Sequence, residues 1–233
     1  MKICLFGISS IPTGNHNIKD PRLDQADKLA EAEKKTYAQV VLADDKDLAV
    51  CDAILTSRAA LSDLLMKDLD FVETRLGRDA GEAEKIVLQK MAEGLVSETP
   101  VSKLGLTADD VAAISAHSFV TNRPVVVAEE AELAAPDPLL VRAFAESGYM
   151  SFITVGGKEN RAWPIRTGTT AWEAAGSIHT DLQKGFIRAE IISFADFVAA
   201  GGETQAKRAG KVRLELKTYV MQDYDVVTFR FNK

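Results

Sequence analysis

Residues 170–190 read T-A-W-E-A-A-G-S-I-H-T-D-L-Q-K-G-F-I-R-A-E and decide the fold of the C-terminal part of the chain. Thr170 and Glu173 have the spacing of a capping box, in which the two side chains satisfy backbone N–H groups at a helix start. Apolar residues then recur at helical spacing and predict one buried helix face, at Ala171, Ala174, Ala175, Ile178 and Leu182. Gly185 suits a helix C-terminus, and the β-branched and aromatic run that follows predicts a strand over 186–192.

The surrounding segments extend this packet into an α+β domain over residues 139–233. A strand is predicted at 162–165, with Gly168 in the turn before the helix. Further strand-like runs follow the same pattern, at 151–155, 212–216, 219–221 and 226–231. We therefore predict a mixed sheet wrapped on one helix.

Residues 1–138 predict a different, α/β architecture. Strand-like runs alternate with helical ones, which favours a small, mostly parallel sheet; the strands are predicted at 2–8, 37–43, 50–55 and 124–128. A helical hairpin is predicted at about 59–95, with its connection at 77–81. The Pro-containing stretch at 134–138 is the predicted boundary between the two parts.

Composition is that of an ordinary globular protein, with 46% hydrophobic and 27% charged residues. We find no signal-peptide layout and no apolar run that could cross a membrane, so the expected location is the cytoplasm. Cys4 and Cys51 lie in apolar runs and are expected to be reduced and buried. The net charge of −6 is uneven: residues 149–233 carry +3 and residues 1–148 carry −9. The two parts are expected to meet different partners.

Several motifs in the C-terminal part resemble those of the TGS domain (DUF933 type) that ends members of the YchF (Obg-like ATPase) family. They are F-I-T-V-G at 152–156, E-N-R-A-W at 159–163, A-A-G-S-I-H-T-D at 174–181, K-G-F-I-R-A-E at 184–190 and F-R-F-N at 229–232. The resemblance covers about residues 145–233 and implies a β-grasp fold. It also implies association with ribosomes or RNA.

The first part resembles the family's G domain in a shortened form, but the nucleotide motifs depart from the family pattern. A phosphate loop needs G-x-x-x-x-G-K-[ST], and after Gly7 the chain reads I-S-S-I-P-T. The family's D-x-x-G is replaced by D-D-K-D at 44–47, and its N-x-x-E by E-E-A-E at 129–132. The resemblance thus implies a degenerate P-loop region, with nucleotide binding lost, in which Gly7, Asp44 and Glu132 are vestigial. We predict no cofactor.

The candidate RNA- or ribosome-binding residues are basic side chains of the second part and one histidine: Lys158, Arg161, Arg166, His179, Lys184, Arg188, Lys211 and Arg213. Whether they form one face depends on the order of the strands. A general-base role for His179 beside Asp181 is weaker than a structural one, because no motif places a nucleophile near it. Trp163 and Trp172 are expected to pack rather than stack on bases. No spacing of His, Cys and Asp indicates a metal site.

Two family-like turn positions are also altered. Leu216 and Tyr224 stand where glycine is expected, and each is predicted to strain its turn or to change it.

Three functional hypotheses remain open. The first is a non-catalytic protein whose TGS domain binds the ribosome, RNA or a translation-associated partner. The alternative is a diverged ATP- or GTP-binding hydrolase of the same family. In the third, the acidic helical hairpin binds a protein partner and the C-terminal domain is a scaffold.

Overall fold

A computed structural model describes residues 1–78 and 80–232. Asp79, in the predicted hairpin connection, and Lys233, at the end of the predicted C-terminal domain, lie outside the described residues.

The described strands are β1 (Lys2–Phe6), β2 (Gly14–Ile18), β3 (Lys34–Thr36), β4 (Ala38–Ala43), β5 (Ala53–Ser57), β6 (Val125–Ala128), β7 (Tyr149–Thr154), β8 (Glu159–Arg166), β9 (Phe186–Ile192), β10 (Arg213–Glu215) and β11 (Val226–Phe231). The described helices are α1 (Pro21–Leu29), α2 (Leu61–Leu76), α3 (Glu82–Val96), α4 (Ala108–Ala113), α5 (Glu130–Leu133), α6 (Pro136–Glu146), α7 (Ala171–Ile178), α8 (Thr180–Lys184), α9 (Phe194–Ala200) and α10 (Glu203–Arg208).

The chain forms two compact units. The first unit comprises residues 1–16 and 40–139, and the second comprises residues 17–39 and 140–233. The sequence patterns do not indicate that 17–39 groups with the C-terminal part. The division into separate domains at residues 1–138 and 139–233 stays a prediction.

The first sheet has the strand order β2-β4-β1-β5-β6. β1 is parallel to both β4 and β5, and β5 is parallel to β6, so the predicted parallel arrangement is present. The central residues of β1 and β5 are buried, which accounts for their nearly continuous apolar runs. β2 lies in a segment whose Gly, Pro and Asn content predicts only a loop.

The predicted helical hairpin consists of α2 and α3, packed against the first sheet. Its buried positions recur at helical spacing, from Leu61 to Val72 in α2 and from Val87 to Leu95 in α3. Asp68 is buried in α2, where its carboxylate accepts hydrogen bonds from the backbone N–H groups of Val120 and Thr121, both at 2.7 Å. The hairpin therefore also anchors the turn that leads to β6.

The second sheet has the order β10-β9-β11-β7-β8-β3. β7 and β8 form an antiparallel hairpin, β11 lies parallel to β7, and β9 pairs antiparallel with β11. α7 packs on this sheet and buries Ala171 and Ala174 beside Phe152 and Ile191. The predicted fold class is confirmed: a P-loop-like α/β region with a helical hairpin precedes a β-rich unit with a β-grasp arrangement.

The predicted helix after Thr170 is interrupted at His179. α7 begins with the predicted capping box, since Thr170 Oγ1 accepts from Glu173 N and Glu173 Oε2 accepts from Thr170 N. His179 is extended (φ −162°, ψ 142°), and its Nδ1 accepts a hydrogen bond from Asp181 N at 3.1 Å. The histidine therefore ends one helix and caps the next, α8.

The two altered turns differ in conformation. Tyr224 has φ +63°, the left-handed value that glycine would adopt without strain, whereas Leu216 does not have a positive φ. The Tyr224 side chain is buried, with the Arg22 guanidinium carbon 3.8 Å from its ring centroid. The turn at Tyr224 thus keeps the expected conformation with a bulky residue, and the turn at Leu216 is rebuilt.

Segment 17–39 is integrated into the second unit through polar contacts. Asn160, fully buried in β8, donates from Nδ2 to Asp27 Oδ1 (2.7 Å) and to the Ala30 carbonyl (2.6 Å). Arg22 pairs with Asp20 and Asp223 through its guanidinium nitrogens. These contacts satisfy buried groups that would otherwise destabilise the unit.

Candidate functional site

The carboxyl edge of the first parallel sheet is where this architecture would hold a phosphate group. The topology brings there the three residues that are predicted to be vestigial: Gly7 follows β1, Asp44 follows β4, and Glu132 lies in α5, directly after β6. In the described chain β1 leads through a loop into β2 and not into a helix. The helix N-terminus that binds phosphate in P-loop proteins is therefore not supplied by this connection.

The space beside Gly7 is filled by protein. A β-carbon at this position would lie 2.1 Å from Ala60 Cβ and 3.2 Å from Ser57 Oγ. Gly7 has φ +65°, so its conformation also disfavours a side chain. The glycine is needed here for close packing on the turn that follows β5.

The two acidic residues of this set each accept a hydrogen bond from a nearby backbone N–H group. Asp44 Oδ1 accepts from Lys46 N at 3.0 Å, and Glu132 Oε2 accepts from Glu129 N at 2.9 Å as part of a capping box. Glu129 in turn pairs with Arg58 at 2.9 Å. Among the described residues, no group of three or more His, Cys, Asp or Glu side chains could hold a metal ion.

In the second unit, strand direction divides the predicted basic residues between two ends of the sheet. β7 and β11 finish at the same end, where β8 and β9 begin. Five of the eight predicted residues lie at this end, which we call the basic end: Lys158, Arg161, His179, Lys184 and Arg188. The strands β9 and β8 are three positions apart in the sheet, so the basic end is about 14 Å wide.

The other three predicted residues lie at the opposite end and are engaged within the unit. Arg166 stacks on Tyr149, with 4.7 Å from its guanidinium carbon to the ring centroid. Lys211 pairs with Asp196 at 3.0 Å, and Arg213 donates to the Tyr219 hydroxyl at 3.0 Å. The predicted set therefore does not form one face.

Three cations of the basic end are available for a partner. Within residues 1–78 and 80–232, no ion pair engages Lys158, Lys184 or Arg188. Arg161 lies over the Trp163 ring, 4.1 Å from its centroid, and is 3.7 Å from Glu159. Trp163 packs against the core of the second sheet, as predicted from its sequence context.

Sequence reasoning missed two cations at this end. Arg230 of β11 lies directly opposite Arg188 in the register and pairs with Glu190. Lys34 of β3 pairs with Glu159 at 3.2 Å. A hydrogen bond from Thr36, with Lys34 and Arg161 nearby, lowers the pKa of Glu159 below its usual value. Strand alternation in β11 could have identified Arg230, but no local signal places β3 beside β8.

The basic end also carries an open groove of about 830 Å³ between α8 and the end of β11. Its walls combine apolar, cationic and hydrogen-bonding groups: His179, Asp181, Leu182, Lys184, Gly185, Phe231 and Asn232. The backbone closes this corner tightly, because a β-carbon on Gly185 would lie 2.0 Å from the Asn232 carbonyl oxygen. The groove offers a concave surface at the same end of the sheet as the three available cations, of which Lys184 lines it.

Comparison with known proteins agrees with this architecture. Residues 149–232 match a sequence model of the YchF GTPase C-terminal domain, described as a protein of unknown function (DUF933). The ribosome-binding ATPase YchF of Escherichia coli O157:H7 is 34% identical over an alignment of 234 residues, which covers 73% of this chain and 64% of the relative. The chain belongs to the YchF/Obg-like ATPase family.

Other members of the YchF/Obg-like family match over a shorter part of the chain. The ribosome-binding ATPase YchF of Bacillus subtilis is 49% identical over 96 residues, covering 41% of this chain and 26% of the relative. Obg-like ATPase 1 of Danio rerio is 48% identical over 92 residues, covering 37% and 23%. The chain thus spans between about a quarter and two thirds of the length of these curated relatives.

A solved structure of the Schizosaccharomyces pombe YchF GTPase shares the fold. The TM-score is 0.75 over 99% of this chain and 97% of that chain, at 18% sequence identity. In the part of the chain that the structure describes, no helix is long and apolar enough to span a membrane.

Proposed function

We propose that this YchF/Obg-like protein is a cytoplasmic ribosome-binding protein that does not hydrolyse nucleotides. Its RNA contacts are made by the basic end of a TGS-like C-terminal unit. The observation that carries the proposal is the position of Lys158, Lys184 and Arg188, three cations without an ion pair among the described residues, at one end of the sheet. Relatives named ribosome-binding ATPases support the choice of partner.

The absence of hydrolysis is inferred from the first unit. The sequence after Gly7 lacks the Gly-Lys pair and hydroxyl residue of a phosphate loop. In addition, Ala60 and Ser57 occupy the space that faces Gly7, while Asp44 and Glu132 serve as local caps. The phosphate-loop lysine, which would neutralise a terminal phosphate, is missing from this stretch of sequence. We infer that the P-loop region is degenerate and serves as structure.

The ribosome proposal is tested by co-sedimentation of the purified protein with 70S ribosomes and isolated subunits at low and moderate salt. We expect salt-sensitive pelleting, because phosphate contacts release counterions. The double variant Lys184→Glu/Arg188→Glu should pellet less, and its salt slope should fall by about one for each phosphate that is no longer neutralised. The matched control Lys103→Glu/Arg208→Glu changes two exposed cations outside the basic end and should behave like wild type.

Equal pelleting of the two double variants would contradict the assignment to the basic end, and no pelleting under any condition would contradict the ribosome proposal. The hydrolase alternative is tested by thermal unfolding with magnesium and ATP or GTP. A nucleotide present at 100 times its Kd would add about 2.7 kcal/mol of stability. We expect no shift of the melting temperature, and a clear shift would favour the diverged hydrolase.

A further inference from the structure

We propose that the groove between α8 and β11 takes one unpaired nucleotide of single-stranded RNA, with its base stacked on Phe231. This inference rests on the proposed function, because it specifies which form of RNA the basic end binds. The groove lies entirely within the second unit and is lined by described residues.

The size of the groove suits a nucleotide. Its volume of about 830 Å³ lies within the usual range for small-molecule sites. Phe231 and Leu182 supply its apolar surface. Phe231 is 36% exposed and lies outside the packed core of the sheet, which includes Phe152 and the partly buried Phe229. An aromatic ring exposed beside a concave apolar wall is a stacking platform for a base.

The polar groups of the groove suit the other parts of a nucleotide. Lys184 has no ion pair among the described residues, so its ammonium is available for a phosphate. His179 Nδ1 accepts from Asp181 N, and this bond leaves Nε2 as the ring nitrogen that carries a proton. His179 therefore offers an N–H donor, for which a phosphate or sugar oxygen is a suitable acceptor.

The carboxylate of Asp181 favours binding of a base over binding of a second phosphate inside the groove. Its carboxylate is exposed on the groove wall and would repel a phosphate, but it can accept hydrogen bonds from the amino or imino groups of a base. The other two available cations, Lys158 and Arg188, lie outside the groove at the same end of the sheet. The groove is apolar and offers hydrogen bonds, and the other cations lie outside it. This arrangement fits a single RNA strand that places one base in the groove while its backbone continues across the basic end.

Paired RNA does not fit this arrangement. In an A-form helix the bases are stacked on each other, so that neither base face is free to contact Phe231. The groove should therefore discriminate single-stranded from double-stranded RNA. The cations alone would not, because phosphates are present in both forms.

The test is fluorescence anisotropy with a labelled single-stranded RNA of about ten nucleotides, a size typical of small single-strand sites. The same strand annealed to its complement and a free mononucleotide, GMP or AMP, are measured in parallel. We expect the single strand to bind more tightly than the duplex. Phe231→Ala should weaken single-strand binding about tenfold and leave duplex binding unchanged.

Lys184→Ala provides a second variant at an exposed position that should not affect folding. It should weaken binding and reduce the salt slope by about 0.7, the value for one phosphate contact to a single strand. Trp172→Ala is the matched control, since Trp172 is exposed beside a smaller pocket of about 250 Å³ away from the basic end. This variant should bind RNA like wild type.

Three results would overturn the inference: equal binding of single and double strands, an unchanged affinity in Phe231→Ala, or saturation by a mononucleotide as tight as by the oligonucleotide. The last would indicate a small-molecule site. Co-sedimentation with ribosomes is a separate measurement. If the protein binds ribosomes but does not prefer single-stranded RNA, this inference is wrong and the proposed function stands. If it binds neither ribosomes nor RNA, the proposed function is wrong as well.

Discussion

At the scale of single residues, Tyr224 shows how a strained position is maintained by its neighbours. A left-handed backbone costs an L-residue roughly 1 kcal/mol relative to glycine. The side chain compensates by being buried between Arg22 and Phe194, whose ring lies 5.5 Å away in an edge-to-face arrangement. Burial also raises the pKa of the Tyr224 hydroxyl well above its ordinary value. The residue stays neutral at physiological pH and serves as a packing element.

Replacement of Tyr224 by glycine should therefore destabilise the protein. Removal of a buried aromatic side chain costs about 3–5 kcal/mol, and relief of the left-handed strain returns about 1 kcal/mol. We expect the free energy of unfolding to fall by about 2–4 kcal/mol, measured by urea denaturation with fluorescence detection. Leu216→Gly is the matched control: its side chain is 58% exposed, so the change should be below about 1 kcal/mol. A more stable Tyr224→Gly variant would mean that strain outweighs packing.

At the scale of elements, the helical hairpin is joined at its tip by a charged cluster. Glu84, near the start of α3, accepts from Arg75 Nε at 2.6 Å and from Arg75 Nη2 at 2.9 Å. His117 Nε2 lies 2.8 Å from the same carboxylate, and the imidazole ring packs against Phe71. Hydrogen bonds from Arg75, then from His117, lower the pKa of Glu84 to about 2. The cluster ties α2, α3 and the segment after α4 together.

This cluster makes hairpin stability depend on pH in a defined window. The folded-state pKa of Glu84 is about 2, below its ordinary value of 4.5. The unfolded state therefore binds more protons between these values, so the stabilisation is fully present above pH 4.5 and is lost as the pH falls toward 2. Glu84→Gln should remove it.

The measurement compares urea denaturation of wild type and Glu84→Gln at about pH 6 and about pH 3, on either side of the ordinary pKa of a glutamate. We expect the variant to be less stable at the higher pH and the difference to shrink at the lower one. Glu82→Gln is the control on the same helical turn. The Glu82 side chain is 90% exposed, and its one ion pair among the described residues, with Lys85, is long at 3.8 Å. A difference between Glu84→Gln and wild type that does not vary with pH would assign the effect to packing. Whether the hairpin also binds a protein partner stays a prediction.

The element scale also shows what sequence patterns can predict. The capping box at Thr170 and Glu173, the apolar positions of α2 and α3, and the missing phosphate loop all depend on residues close together in sequence. The structure contains the capping box and the buried faces of α2 and α3, and the loss of the phosphate loop stays a prediction. The sequence does not predict the break at His179, because the apolar periodicity of the helix continues from Ile178 to Leu182. In the structure the backbone of His179 is extended.

At the scale of the whole molecule, prediction failed where contacts are distant in sequence. Arg22 contacts Asp223, and Asp27 contacts Asn160, so no local pattern could assign segment 17–39 to the second unit. The basic end was not predicted for the same reason. The order β9-β11-β7-β8 brings Arg188 and Arg161 to one end, and strand order is set by tertiary packing rather than by spacing.

Because segment 17–39 belongs to the second unit, we predict that residues 140–233 do not form the complete unit on their own. α1 contacts β8 and α9, and it buries Leu23 and Ala26 fully. Burial of a leucine side chain contributes about 1.5–3 kcal/mol. A fragment of residues 140–233 should therefore be less stable than the same fragment with residues 17–39 fused through a flexible linker, by about 1.5–3 kcal/mol in urea denaturation.

The fused fragment with Leu23→Ala is the control for specific docking, and it should lose most of the gain. If the fragment of residues 140–233 is as stable as the fused form, segment 17–39 does not contribute to the unit.

The discontinuous second unit also imposes an order of assembly during synthesis. Segment 17–39 leaves the ribosome long before β8, and at ordinary translation rates the interval is on the order of ten seconds. During that time Leu23 and Ala26 are exposed, because β8 and α9, which α1 contacts in the folded unit, have not yet been synthesised. The chain therefore exposes the side chains of Leu23 and Ala26 early in its own translation, on a segment that a chaperone at the exit tunnel would bind and later release.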